Sequence, residues 1–111
     1  MKLEDLSTPI KPVEELKKKI DKGKGHLAKL YLALNLLFND SHKKFITVKD
    51  IHQIDAFASW DNAFLFNKLE LFIRLGLLHK DNKKKENYYY LKNKQLFDKE
   101  LIDFAKNKIG I

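Results

Sequence analysis

Leu65, Leu69, Phe72 and Gly76 stand at i, i+4, i+7 and i+11, which makes one helical stripe ending at a glycine. The spacing predicts a helix that opens after Ser59 or Asp61, either of which can supply the N-cap, and stops at Gly76. Beyond the glycine, LLHK and YYYL are short runs of β-formers separated by polar DNKKKEN, the pattern of a hairpin with a loose tip. Upstream, HLAKLYLALNLLF from His26 to Phe38 is apolar almost all round and predicts a central helix covered on more than one side. Asn39-Asp40-Ser41-His42 predicts a turn. Phe45-Ile46-Thr47 then predicts a short strand pairing with the hairpin. Val48 to about Ile54 predicts a short helix, with Thr47 as its cap and Asp50 favourably placed in the first turn. DAFASWD, from Asp55 to Asp61, joins it to the stripe.

The two ends extend this centre. Residues 1–12, with Ser7, Thr8, Pro9 and Pro12 and little periodicity, read as an arm without fixed regular structure. Val13, Leu16 and Ile20 then recur at helical spacing, with Glu14 and Glu15 at the start and Lys17, Lys18, Lys19 and Lys22 toward the end, as the helix dipole favours. Gly23-Lys24-Gly25 interrupts that helix as a C-cap or a kink. After the hairpin, a last helix is expected from Asn93 or Lys94 to about Ile109, carrying Phe97, Leu101, Phe104 and Ala105 on one face. The chain thus divides into the arm 1–12, a domain 13–92 that includes the extra N-terminal helix, and a C-terminal helix 93–111, and the surplus apolar residues of the two terminal helices make them the expected dimerisation elements.

The order helix, glycine, strand, basic loop, strand resembles the recognition helix and wing of the winged helix-turn-helix superfamily. Its members usually carry a leucine seven and a large apolar residue four positions before a Gly-Leu pair, and here those positions hold Leu69, Phe72, Gly76 and Leu77. The resemblance covers roughly Leu27 to Leu91. It implies an α+β, mostly helical winged helix-turn-helix, here with an extra N-terminal helix and a C-terminal helix. It also implies that the third helix enters the major groove, with Asn62, Ala63, Phe66, Asn67 and Glu70, opposite the apolar stripe, facing DNA. Asparagine amides can pair bidentately with adenine, and Ala63 or Phe66 can touch a thymine methyl, so an A·T-rich site is expected.

Charge adds a second surface. The formal net charge is +7, almost all of it from lysine, with Arg74 the one arginine. Such a balance suits a polyanionic partner. Lys80, Lys83, Lys84 and Lys85 face only Asp81 and Glu86 on the hairpin and are expected to follow phosphates. The stretch from Asp55 to Glu70 sets Lys68 alone against three carboxylates. Trp60, Phe66 and Ile73 therefore offer a rival reading, an apolar surface for a protein partner. Tyr88, Tyr89 and Tyr90 should alternate across their strand, Tyr89 pointing opposite to its neighbours, with core and sheet packing expected ahead of base stacking as their role.

Several chemistries lack their residues. The chain has no cysteine, which removes disulfides and thiolate metal sites and fits a reducing, cytoplasmic setting. MKLEDLSTPIKP places charges and proline where a signal peptide needs apolar residues, and no apolar run approaches the roughly 18 residues of a membrane span. His26, His42, His52 and His79 are scattered, without HExxH, and the four glycines form no phosphate loop. Neither a metal, a cofactor nor an enzymatic activity is expected. The expectation is a homodimeric double-stranded DNA-binding protein, a transcriptional regulator first, with a replication or plasmid-maintenance factor and a protein-interaction module as alternatives.

Overall fold

Glu14 and Glu15 at one end and Lys19 and Lys22 at the other frame the first helix, α1 (Pro12–Lys22), an arrangement that opposes its dipole favourably. Leu16 and Ile20, one turn apart, are fully buried. The structure, a computed structural model, describes residues 12–83 and 85–111. The arm expected over residues 1–12 lies outside them except for Pro12. Gly23 N–H closes α1 on the Lys19 and Ile20 carbonyls. Gly25 then takes φ +96° as the cap of α2 (His26–Asn35), a left-handed conformation open to glycine at little cost.

Helix α2 is the central one, burying Leu27, Ala28, Leu30, Tyr31, Ala33 and Leu34. Over Leu36–Asp40 it widens into a π-helical turn, where the sequence suggested plain helix to Phe38 and then a turn. Ser41 N–H donates to the Leu36 carbonyl across that wider ring. β1 (Phe45–Ile46) follows, then α3 (Val48–His52). Thr47 caps α3 in a reciprocal box: its hydroxyl accepts from Asp50 N–H, while Asp50 accepts from Thr47 N–H at 2.8 Å. The helix ends two residues before Ile54, and Asp55–Phe57 forms a 3-10 turn. α4 (Asn62–Arg74) begins after Asp61, which holds the cap position without a side-chain hydrogen bond.

The stripe of α4 is buried as its period requires, Leu65, Leu69 and Phe72 all at 0% exposure. Its end is a Schellman motif. Gly76, at φ +86°, donates to Ile73 O, and Leu77 N–H reaches back to Phe72 O. β2 (Leu78–Lys83) and β3 (Glu86–Leu91) then pair antiparallel from Leu78↔Leu91 to Lys83↔Glu86. The loose tip expected over DNKKKEN is instead mostly ladder, and Lys85 turns in the left-handed region at φ +66°. β1 joins the other edge of β3, giving a three-stranded sheet of order β1-β3-β2.

The last helix starts later than expected. Lys94–Leu96 is a separate 3-10 turn, and α5 runs from Lys99 to Lys108. Two local caps divide them: Asn93 accepts from Gln95 N–H, and Asp98 accepts from Leu101 N–H. The buried Tyr31 hydroxyl donates to Leu96 O at 2.7 Å and fixes the intervening turn from 65 residues away. α5 then packs on α1 and α2 through Leu101 and Ala105. The result is an α+β domain of five α-helices and one small sheet among the described residues. No helix there is long and apolar enough to cross a membrane.

Candidate functional site

The period of α4 that buries Leu65, Leu69 and Phe72 leaves Asn62, Ala63, Phe66 and Asn67 exposed on the other side. Phe66, at 38% exposure, is one of few large apolar side chains so placed. Asn62 and Phe66 line one wall of a cleft of about 290 Å³. Val48, Lys49 and His52 of α3 form a second wall, and Lys85, Glu86 and Asn87 of the hairpin a third. His52 is oriented by its Nε2, 3.1 Å from Trp60 O. A carbonyl can only accept, so Nε2 carries the proton.

The hairpin's lysines fare differently from one another. Lys80 is on the inner face of the sheet and donates to Glu70 of α4 at 2.6 Å, which holds its pKa above the ordinary lysine value. Lys83 is on the outer face, with its Nζ 3.2 Å from the Tyr90 hydroxyl and 3.6 Å from Asp81. Its pKa is likewise raised, chiefly by the Tyr90 hydrogen bond. Lys85 is exposed at the turn and belongs to the cleft. Lys84 lies outside the described residues.

No protein-family model, curated protein or solved structure matches this chain.

Trp60 does not join Phe66 and Ile73. Its ring packs edge-on against Phe57 at 4.6 Å, Phe64 at 5.1 Å and His26 at 5.6 Å, on the flank of α4 away from Phe66. Tyr89 points inward and is buried at 1% exposure. Tyr88 and Tyr90 face outward, where Phe45 stacks on Tyr88 at 4.8 Å, so these rings already serve one another. Lys49, His52 and Asn87 complete the cleft and were not singled out from the sequence. Lys49 had a signal, since a residue two after a capping threonine sits exposed on the first turn. Asn87 had none without the register that pairs it with Asn82, whose side chain donates to it at 2.9 Å.

Chemically, the site offers amides, one imidazole, ammonium groups and the Glu86 carboxylate to a partner. Among the described residues no charged side chain is buried in the core, and no three histidines or carboxylates converge as metal ligands would. Its means are hydrogen bonding, charge neutralisation and apolar contact.

Proposed function

We propose that the protein is a winged-helix domain that binds double-stranded DNA and acts as a transcriptional regulator. In this reading α4 enters the major groove and the β2–β3 hairpin is the wing. The element order α2, β1, α3, α4, β2, β3, with β1 pairing against β3, is consistent with it. The observation that carries it is the shared cleft, in which the exposed start of α4, the capped helix α3 and the hairpin turn with Lys85 and Glu86 meet. A groove-reading helix with a phosphate-following loop beside it needs that juxtaposition. Asn62 and Asn67 are then the adenine readers, and Ala63 and Phe66 supply apolar contact to thymine methyls.

A homodimer belongs to the same proposal, because paired half-sites require one. The apolar faces of α1 and α5 are spent on each other and on α2, so the contact is assigned to the exposed Leu36 and Ile111 beside Leu32 and Ile54. Leu36→Asp should then halve the mass seen by light scattering while leaving the fold intact. Fluorescence anisotropy on A·T-rich and G·C-rich duplexes tests the DNA reading. The expected result is preference for the former and a loss of affinity between about 50 and 200 mM salt. Absence of salt-dependent binding to either duplex would overturn it.

A further inference from the structure

A second cleft, of about 500 Å³, lies between the end of α1, the start of α2 and α4. Lys19, Lys22, Lys24 and Lys68 line it, and no carboxylate does. Among the described residues none of the four has a carboxylate within 4.0 Å. Lys68 is steered by its own helix, with Nζ 4.9 Å from the centre of the Phe64 ring. The hairpin flank differs, for Lys80 is taken by Glu70 and Lys83 shared with Asp81 and Tyr90.

The two clefts stand on opposite flanks of one helix. At about 100° per residue, Phe64 and Lys68 fall roughly opposite Asn62 and Phe66 around α4, with Ala63 and Asn67 on the ridge between. A helix about 10–12 Å across fills a major groove about 12 Å wide. Each flank of such a helix then faces the phosphates of a different strand. A wing alone attends to one of them.

We infer that the cleft of Lys19, Lys22, Lys24 and Lys68 grips the backbone phosphates of the strand opposite to the one the hairpin follows. The duplex is thereby held by both walls of its major groove. This rests on the DNA reading above, and it gives a role to four lysines that, among the described residues, stand without a carboxylate partner on the helical side of α4, away from the wing. It also gives α1 and the Gly23-Lys24-Gly25 turn a task in binding, since they carry three of the four ammonium groups.

The test compares wild type with K19Q/K22Q/K24Q/K68Q and with K83Q/K85Q, glutamine being as good a helix former as lysine. Duplex affinity is measured against salt, and phosphate-ethylation interference is mapped on each strand. The quadruple variant should lose about 2 to 3.6 from the slope of log affinity against log salt, at about 0.9 per phosphate contact. It should also lose interference on one strand only, and the hairpin variant on the other. The milder K22Q/K24Q variant should lose about half as much slope, which guards against misfolding of the quadruple one. If the helical-side variants keep the wild-type slope and footprint while the hairpin variant does not, the clamp is overturned and the DNA reading stands. Loss of contacts on the same strand by both sets also overturns it. If wild type shows no salt-dependent binding to duplex, the DNA reading falls and the clamp with it.

Discussion

Lys80 Nζ donates to Glu70 Oε1 at 2.6 Å, joining the hairpin to the exposed edge of α4. Both side chains are more than a third exposed, at 38% and 45%, so the pair adds little to stability, on the order of 0–1 kcal/mol. Its consequence lies in binding, because it neutralises a hairpin lysine and leaves a carboxylate beside the face proposed to meet DNA. Glu70→Gln should free Lys80 for a phosphate, tightening duplex binding and steepening the salt slope by up to about 0.9. Thermal denaturation should barely change. An affinity and slope equal to wild type would show that Lys80 stands away from the backbone.

Gly76 makes the junction between α4 and the hairpin. A Cβ built there meets nothing within 4 Å, yet φ is +86°, so the cost of a side chain is conformational and not steric. Gly76→Ala should destabilise by about 1–2 kcal/mol, and Gly76→Asn by less, since asparagine tolerates this region. Phe72→Ala, one turn earlier and fully buried, should cost about 3–5 kcal/mol through the cavity it leaves. Urea melts of the three variants rank these costs. Equal losses for alanine and asparagine at position 76 would mean that packing and not φ sets them.

Tyr31 ties α2 to the turn before α5, and its burial makes that tie sensitive to alkali. Burial pushes the phenol well above the ordinary tyrosine range, and the charge of Asp98 adds to the rise. An unfolded tyrosine releases its proton near pH 10, whereas the folded one still holds it. Above that pH the unfolded state binds fewer protons than the native one, so stability falls as pH rises. The contribution is complete below about pH 10 and disappears as pH climbs through the raised native value. Tyr31→Phe should cost about 1–3 kcal/mol at neutral pH by leaving the Leu96 carbonyl without its donor. It should also make the alkaline decline shallower, though Tyr89, raised by its own burial, keeps part of it. Urea midpoints at pH 8 and pH 10.5 would contradict this if the two proteins declined in parallel.

What could be read along the chain was local. The Leu65, Leu69, Phe72 stripe with its glycine stop, the Thr47 and Asp50 box and the alternation at Tyr89 each depend on neighbours within about two turns. The break at Phe97 was hidden because Leu96 and Phe97 continue a plausible helical spacing into Leu101. Asp98 caps the helix that restarts there, and the Tyr31 hydroxyl, distant in sequence, holds the turn from outside. The hairpin register was equally out of reach, since DNKKKEN is polar whether paired or loose. The candidate cleft shows the same limit: Asn62 and Phe66 followed from helical period, whereas Lys49, His52 and Asn87 joined them only through tertiary packing. Of the four lysines of the second cleft, Lys19 and Lys22 read as dipole partners, Lys24 as part of a glycine break and Lys68 as a lone cation among carboxylates, until α1 was seen against α4.

Sequence reading and charge neutralisation should separate cleanly on this surface. Asn62 and Asn67 are exposed on α4 and carry no charge, so an amide pairing with adenine contributes discrimination without releasing counterions. Asn62→Ala or Asn67→Ala should relax preference at one base pair by about 1–3 kcal/mol and leave the salt slope nearly unchanged. Lys85 shares the same cleft as Asn62 but acts through its ammonium group. Lys85→Ala should weaken binding to all duplexes about equally, remove about 0.9 from the slope and keep the sequence preference. Anisotropy titrations of both variants, on a matched duplex and on one with a single altered pair, at two salt concentrations, distinguish the roles. Asparagine variants with full selectivity and a Lys85 variant with wild-type affinity would mean that this face does not read DNA. Phe66 and its exposed surroundings would then point to a protein partner.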